Sequence, residues 1–136
     1  MFSLLTISGS GMTANKTGLE IVGNNISNIN TTRTESGGPY KRQAISFEER
    51  KGFEEIMKKE IGNGVEVTAV KQDNSVRIVY DPSHPDANGE GYVAFPEINM
   101  VAEMTDMMMF QRGYESNATV LSASRKVMEK EMEIGR

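Results

Sequence analysis

The stretch INMVAEMTDMMMFQRGYESNATVLSASRKVMEKEMEI, residues 98–134, decides how this chain folds. Met100, Met107, Tyr114, Leu121 and Met128 stand seven apart through five repeats, and Met104, Ala118 and Met132 sit four beyond their neighbours in that column. Polar Gln111 and Arg125 interrupt the second column, while Val120, Val127 and Ile134 run beside it. A seven-residue apolar period marks a helix that lies along another helix. Pro96 suits a helix entrance. At 1.5 Å per residue, a helix from Ile98 to Ile134 is about 55 Å long.

The first thirty residues supply a partner with the same period. Leu5, Met12, Leu19 and Ile26 lie seven apart, and Val22 and Ile29 fall three further on, where the earlier positions hold polar Ser8 and Asn15. Ile7, Ala14 and Ile21 broaden the apolar face. A helix over Ser3 to Ile29 reaches about 40 Å. Gly18 and Gly23 weaken it by about 1 kcal/mol each relative to Ala, and Asn24, Asn25, Asn28 and Asn30 favour its end. The expected seam of the pair is therefore these two sets of columns. The four Asn amides are expected to bond neighbouring subunits or the chain's own following turn, because each both donates and accepts.

Between the helices the period changes. Tyr40 to Phe47 reads as a strand. Val65, Val67 and Ala69 alternate, as do Val76, Ile78 and Tyr80, with a polar loop from Lys71 to Ser75, which predicts a β-hairpin. Residues 48–61 hold nine charges in fourteen positions and read as a short exposed helix or a loop. The expected fold class is α+β, mainly α, with long N- and C-terminal helices paired as a coiled coil and a small β-hairpin region between them. Residues 1–35 and 97–136 would form the helix pair. Residues 36–96 would form the middle region, with the charged insert at 48–61.

Composition narrows the function classes. One hundred and thirty-six residues make a single domain's worth of chain. A formal charge of −4 argues against a general nucleic-acid binder, which needs a basic patch. With no cysteine there is no disulfide, thiolate site or Cys nucleophile, and one histidine leaves little for acid–base work. Leu, Ile, Val and Phe together number 29 of 136, a thin stock of core formers supplemented by ten methionines. A small chain with so modest a core depends on partners. The first positive residue is Lys16, so the start does not read as a cleaved secretory signal. No run approaches the ~20 apolar residues of a membrane span.

Three features carry a chemical alternative. Asp81, His84 and Asp86 lie within six residues and could make a calcium- or metal-binding protein or a metal-dependent enzyme, but Pro82 and Pro85 explain the run as a turn, and no second His exists. From Asp86 to Glu97 the chain imitates a calcium loop at positions one, three, six and twelve. It lacks the helix in front that such a loop needs. Met100, Met104, Met107, Met108 and Met109 could hold copper, yet without His or Cys partners they read better as adaptable packing. No catalytic or metal residue and no cofactor is assigned.

The residues also resemble a known family. NNISNINTTRTESGGPYKRQ, from Asn24 to Gln43, resembles the amino-terminal motif of bacterial flagellar rod and hook proteins. YDPSHPDANGEGYVAFPEINMVAEMTDMM, from Tyr80 to Met108, and QRGYESNATVLSASRKVMEKEMEIGR, from Gln111 to Arg136, are similar to its proximal-rod members. With SGSGMTAN near the start, the likeness covers nearly the whole chain apart from residues 48–61. The resemblance implies a structural subunit of the flagellar drive shaft, in the basal body where the rod crosses the periplasmic space. It implies that the terminal helices form the inner tubular layer around the export channel. The partners it implies are copies of the chain, the rod proteins FlgB and FlgF, the adaptor FliE and the flagellar type III export apparatus. It implies no nucleic acid, no direct membrane span and no cleaved signal peptide.

Overall fold

The computed structural model describes residues 2–50 and 64–134. Helix α1 (Phe2–Ser27) is followed by strands β1 (Arg42–Glu49), β2 (Val65–Asp73), β3 (Val76–Tyr80) and β4 (Tyr92–Pro96), and helix α2 (Met100–Ile134) closes the order. Among the described residues, no helix is long and apolar enough to cross a membrane.

Helix α1 forms from residues that usually compete with helices. Ser10 donates to the Ile7 carbonyl, Thr13 to Gly9, Asn15 to Gly11 and Thr17 to Thr13. Each polar side chain is thereby satisfied on the preceding turn, inside the helix. Helix α2 begins where Asn99 Oδ1 accepts the amides of Val101 and Ala102, two of the donors a helix start leaves unpaired.

The helices run antiparallel, and at three glycines of the pair a facing side chain occupies the space a Cβ would need. A Cβ on Gly11 would fall 2.9 Å from Asn117 Nδ2, one on Gly18 2.8 Å from the Phe110 ring, and one on Gly113 2.7 Å from Asn15 Oδ1. Each helix thus carries the same device, Gly-x-x-x-Asn. Asn15 Nδ2 donates to the Gly11 carbonyl and Asn117 Nδ2 to the Gly113 carbonyl. Each amide lies over the glycine of the opposite helix, so the two motifs interlock reciprocally.

The seven-residue period is kept, but its phase is set by small and polar residues. Ser8, Ala14, Ile21, Val22 and Asn25 of α1 are buried, as are Glu103, Phe110 and Ser124 of α2. Of the columns expected at the seam, Val22 is buried, and Leu5, Met12, Leu19, Ile26, Ile29, Met107, Ala118, Leu121 and Met128 are half-buried. Met100, Met104, Tyr114 and Met132 are exposed. The physical reason is steric: glycine lets the backbones approach, and methionine columns at the same contact would hold them apart.

The strands pair differently from the expected hairpin. β2 pairs antiparallel with β1, from Arg42 opposite Asp73 to Glu49 opposite Val65, with an irregularity between Ser46 and Phe47. β3 pairs antiparallel with β4, from Val76 opposite Pro96 to Tyr80 opposite Tyr92. The result is two separate two-stranded ribbons. The chain changes ribbon at Asp73, where Ser75 donates both its hydroxyl and its amide to Asp73 Oδ1. Those bonds hold the Asp73 carboxyl below the usual carboxylate range and turn the backbone away from β2. Strand β4 had no expected counterpart. Glu48 and Glu49, placed in the charged insert by composition, finish β1; from residue 51 to 61 the insert lies outside the described residues.

The glycine seam makes a differential prediction. Ala at Gly23, where nothing lies within 4 Å of a Cβ, should stabilise the purified chain by up to about 1 kcal/mol through helix propensity. Ala at Gly18 should instead destabilise it by about 1–3 kcal/mol, because the Phe110 ring must move. Urea unfolding of both variants checks the sign of each change.

Candidate functional site

The seam ends in a buried polar hub built where four segments meet. Asn25, from the last turns of α1, is fully buried at 0% exposure. Its Nδ2 donates to the Gln43 carbonyl at 2.8 Å and to Glu103 Oε2 at 3.0 Å. Its Oδ1 accepts the Gln43 amide at 2.9 Å and the Tyr40 hydroxyl at 3.1 Å. An Asn side chain offers two donors and two acceptor lone pairs, and all four are used. Towards β1 the amide behaves as a peptide group would, bonding both the N–H and the C=O of Gln43. The edge of β1 is thereby tied to the helix pair.

Glu103 sits one turn into α2 and is 1% exposed. Its Oε1 accepts Arg42 Nε at 2.7 Å, and Oε2 accepts Asn25. A buried carboxylate is costly unless paired and hydrogen-bonded, and here it has both a charge partner and an amide donor. Burial, and then the nearby Glu103 carboxylate, push the Tyr40 phenol above its ordinary value of 10.0. Among the described residues, no buried side-chain nitrogen or oxygen lacks a partner. A second contact reinforces the junction: Phe47 of β1 meets Phe110 edge-on at 5.9 Å, and Phe110 in turn lies over Gly18.

The four asparagines singled out from the sequence separate sharply. Asn25 spends its whole bonding capacity inside its own chain and has none left for a neighbouring subunit. Asn28 Nδ2 donates to the Asn24 carbonyl, and its Oδ1 accepts the Thr31 hydroxyl, so it shapes the turn after α1. Asn24 and Asn30 are exposed. Glu103, Arg42 and Tyr40 were missed as site residues. Glu103 looked like one more charge on a solvated helix face, and no spacing rule links it to Arg42, sixty-one positions away.

The alternative metal residues are engaged in turn-making. Asp81 Oδ1 accepts both the amide and the hydroxyl of Ser83. His84 Nδ1 accepts the Asp86 amide. Asp86 takes the Thr32 hydroxyl at 2.7 Å and the Arg33 guanidinium at 2.6 Å. Asn88, the third position of the imitation calcium loop, accepts the amides of Glu90 and Tyr92. Among the described residues, no three His, Cys, Asp or Glu side chains gather as a metal site.

Tyr40 gives the hub a pH signature. A phenol whose folded-state value is raised contributes stability that is present below pH 10 and lost as pH rises through that folded value. Thermal midpoints followed above pH 10 should therefore fall more steeply for the native chain than for Tyr40→Phe. Asn25→Asp should be severe even at neutral pH. It removes both donors and places a second carboxylate against Glu103, leaving Gln43 and Glu103 short of partners at about 1–3 kcal/mol each. Calorimetry on the two variants reads both effects.

The chain is similar in sequence to flagellar rod proteins. Residues 5–33 match the family described as flagella basal body rod protein, and residues 90–134 match the C-terminal family of the flagellar basal body rod FlgEFG proteins. The flagellar basal-body rod protein FlgC of Borreliella burgdorferi is 38% identical over an alignment covering 93% of this chain and 92% of the relative. That of Bacillus subtilis is 35% identical, covering 99% and 98%, and that of Salmonella typhimurium 26% identical, covering 100% and 98%. The two matched segments are α1 with its following turn and β4 with α2, which form the seam and supply Asn25 and Glu103 of the hub. By sequence over nearly its whole length, this chain belongs to the FlgC family of flagellar basal-body rod proteins.

Proposed function

We propose that this structural rod subunit assembles through the faces of its terminal helices that the α1–α2 pair leaves uncovered. The observation that carries the reading is the outer side of α2. Val101 is 73% exposed, Met108 57% and Met104 49%, and they lie at helical spacing opposite the buried line of Glu103, Phe110 and Ser124. Lower down, Val120, Val127 and Ile134 are exposed as well, on a flank beside the buried line. A helix with apolar residues on both sides is one meant to be enclosed. Its own chain encloses only one side, and neighbouring subunits would enclose the other.

In this reading residues 1–35 and 97–136 form the inner assembly core of the tubular shaft, and residues 36–96 lie outside it. The exposed Met100, Met104, Tyr114 and Met132 of the expected seam serve contacts between subunits. Asn24 and Asn30 are the asparagines free to join them. The shaft carries torque and surrounds the export channel. Its contacts are with copies of the chain, with the rod proteins FlgB and FlgF and with the adaptor FliE. The chain reaches the rod through the flagellar type III export apparatus. Thioether side chains suit this work because one surface must fit neighbours of slightly different shape.

Met108→Glu tests the reading. The side chain is exposed in the single chain, so the purified variant should unfold at the native midpoint. In the assembly, an unpaired carboxylate would be buried at a cost of several kcal/mol. Basal-body yield and swimming should fall about tenfold or more. Normal incorporation of the Met108→Glu variant would count against enclosure of this face.

A further inference from the structure

We infer that Asp86 is a clasp that fixes the bearing of the β3–β4 ribbon on the helix pair, and that incorporation into the rod depends on that bearing. Among the described residues, no helix and neither strand of the other ribbon makes a broad contact with β3 or β4, although Val93 and Pro96 of β4 are buried. At one end the ribbon is joined covalently to β2 through Asn74 and Ser75 and to α2 through Glu97 and Ile98, with the Glu97 amide donating to the Ser75 carbonyl. At its other end the loop between β3 and β4 reaches across to the turn that follows α1. There Asp86 Oδ2 accepts the Thr32 hydroxyl at 2.7 Å, and Oδ1 meets Arg33 at 2.6 Å, spanning fifty-four positions of sequence.

Both sides of this contact are stiff, which is what makes one residue sufficient. On the ribbon side, Asp81 donates its amide to the Gly91 carbonyl, His84 to Asp81, Ala87 to His84 and Asn88 to Tyr92. His84 Nδ1 accepts the Asp86 amide, and the His84 ring stands edge-on to Phe95 of β4. Asp86 is therefore locked to the strand it positions. On the helix side, Thr31 donates to Asn28, Tyr40 to Thr31 and Thr34 to Gly38, so Thr32 and Arg33 sit on a closed turn. That turn leads directly to Tyr40 and Arg42 of the polar hub.

The side chain of Asp86 is 20% exposed against 75% for Arg33. An exposed guanidinium alone would be screened by solvent. The mostly buried carboxylate, held by a hydroxyl as well, makes the contact directional. Its consequence is where the ribbon points its outer face. Val76, Ile78, Tyr80 and Tyr92 are all exposed, Ile78 and Tyr80 by about two thirds of their surface. With the clasp open, the ribbon keeps its covalent links and the buried Val93 and Pro96 of β4, but its loop end is released, so its bearing loosens and its two-stranded ladder opens more often.

The inference rests on the proposed assembly role only for its consequence, and the two are separable by experiment. Hydrogen exchange is read on the purified full chain for the native sequence, Asp86→Asn, Arg33→Ala and the charge exchange Asp86→Arg with Arg33→Asp. Amides of residues 76–80 and 92–95 should exchange about tenfold faster in the single variants, the factor that ~1.4 kcal/mol of local stability produces. Amides of α2 should stay as they were, and the charge exchange should recover part of the protection. Unchanged ribbon exchange, or an equal rise along α2, would overturn the clasp. In cells, the single variants should lower basal-body incorporation and the exchanged pair restore it. Faster ribbon exchange with full incorporation would overturn the dependence of assembly on the clasp. Absence of the native chain from purified basal bodies would instead refute the rod role and leave the exchange result standing. Arg33→Ala removes only the exposed partner, so the test survives if Asp86→Asn fails to fold.

Discussion

Two helix backbones are brought so close that side chains of one rest on glycines of the other, and the rest of the molecule follows from that approach. At Gly11, Gly18 and Gly113 there is no room for a Cβ without a shift of the facing side chain. Asn15 and Asn117 fill the opposite spaces and turn their amides back onto their own helices. Such a seam gains little from apolar burial. Its specificity comes from shape, and from the point where Asn25 meets Glu103. Sliding one helix by a turn would leave a buried carboxylate and a buried amide without partners. The hub thus fixes which antiparallel register the glycines can adopt, and through Gln43 and Arg42 it fixes where β1 departs.

A chain that pairs its helices through small and polar residues keeps its large apolar side chains for other uses. Among the described residues the buried apolar set is short, namely Ala14, Ile21, Val22, Val93, Pro96 and Phe110. Val101, Met104, Met108, Met109 and Ile134 lie outside it. In a free-standing domain this would be a poor distribution. In the proposed assembly it is a division of labour: the intramolecular contact is specific and modest, and enclosure of the outer apolar side chains is left to neighbouring subunits. The rod-family segments at residues 5–33 and 90–134 hold both helices of the seam, with Asn25 and Glu103 of the hub.

The existence, length and period of both helices were legible in the sequence, since a seven-residue repeat leaves few other solutions. Its phase was not. Counting apolar residues favours Met100, Met107 and Tyr114, whereas the contact is decided by Gly18 and Gly113, whose value is their lack of a side chain. The Asn-rich end of α1 was legible as important, but not that Asn25 alone is buried. That depends on Glu103 and Gln43, distant in sequence and uninformative by type. Strand pairing misled for a local reason: the alternation across Lys71–Ser75 is what a hairpin shows, and only the Ser75 bonds to Asp73 reveal a change of ribbon. The Asp81, His84 and Asp86 run was legible as a turn because prolines flank His84. Its clasp to Arg33 is a tertiary fact with no short-range signal.

The central claim is that the Asn25–Glu103 contact works as a unit to set the helix pair. A double-mutant cycle measures it directly, with unfolding free energies for the native chain, Asn25→Ala, Glu103→Gln and the combined variant. The account predicts strong coupling, at least about 1 kcal/mol, because the first change strips the second residue of its partner. Changes that add to within about 0.3–0.5 kcal/mol would mean that the two side chains act independently, and the hub would not be what fixes the register.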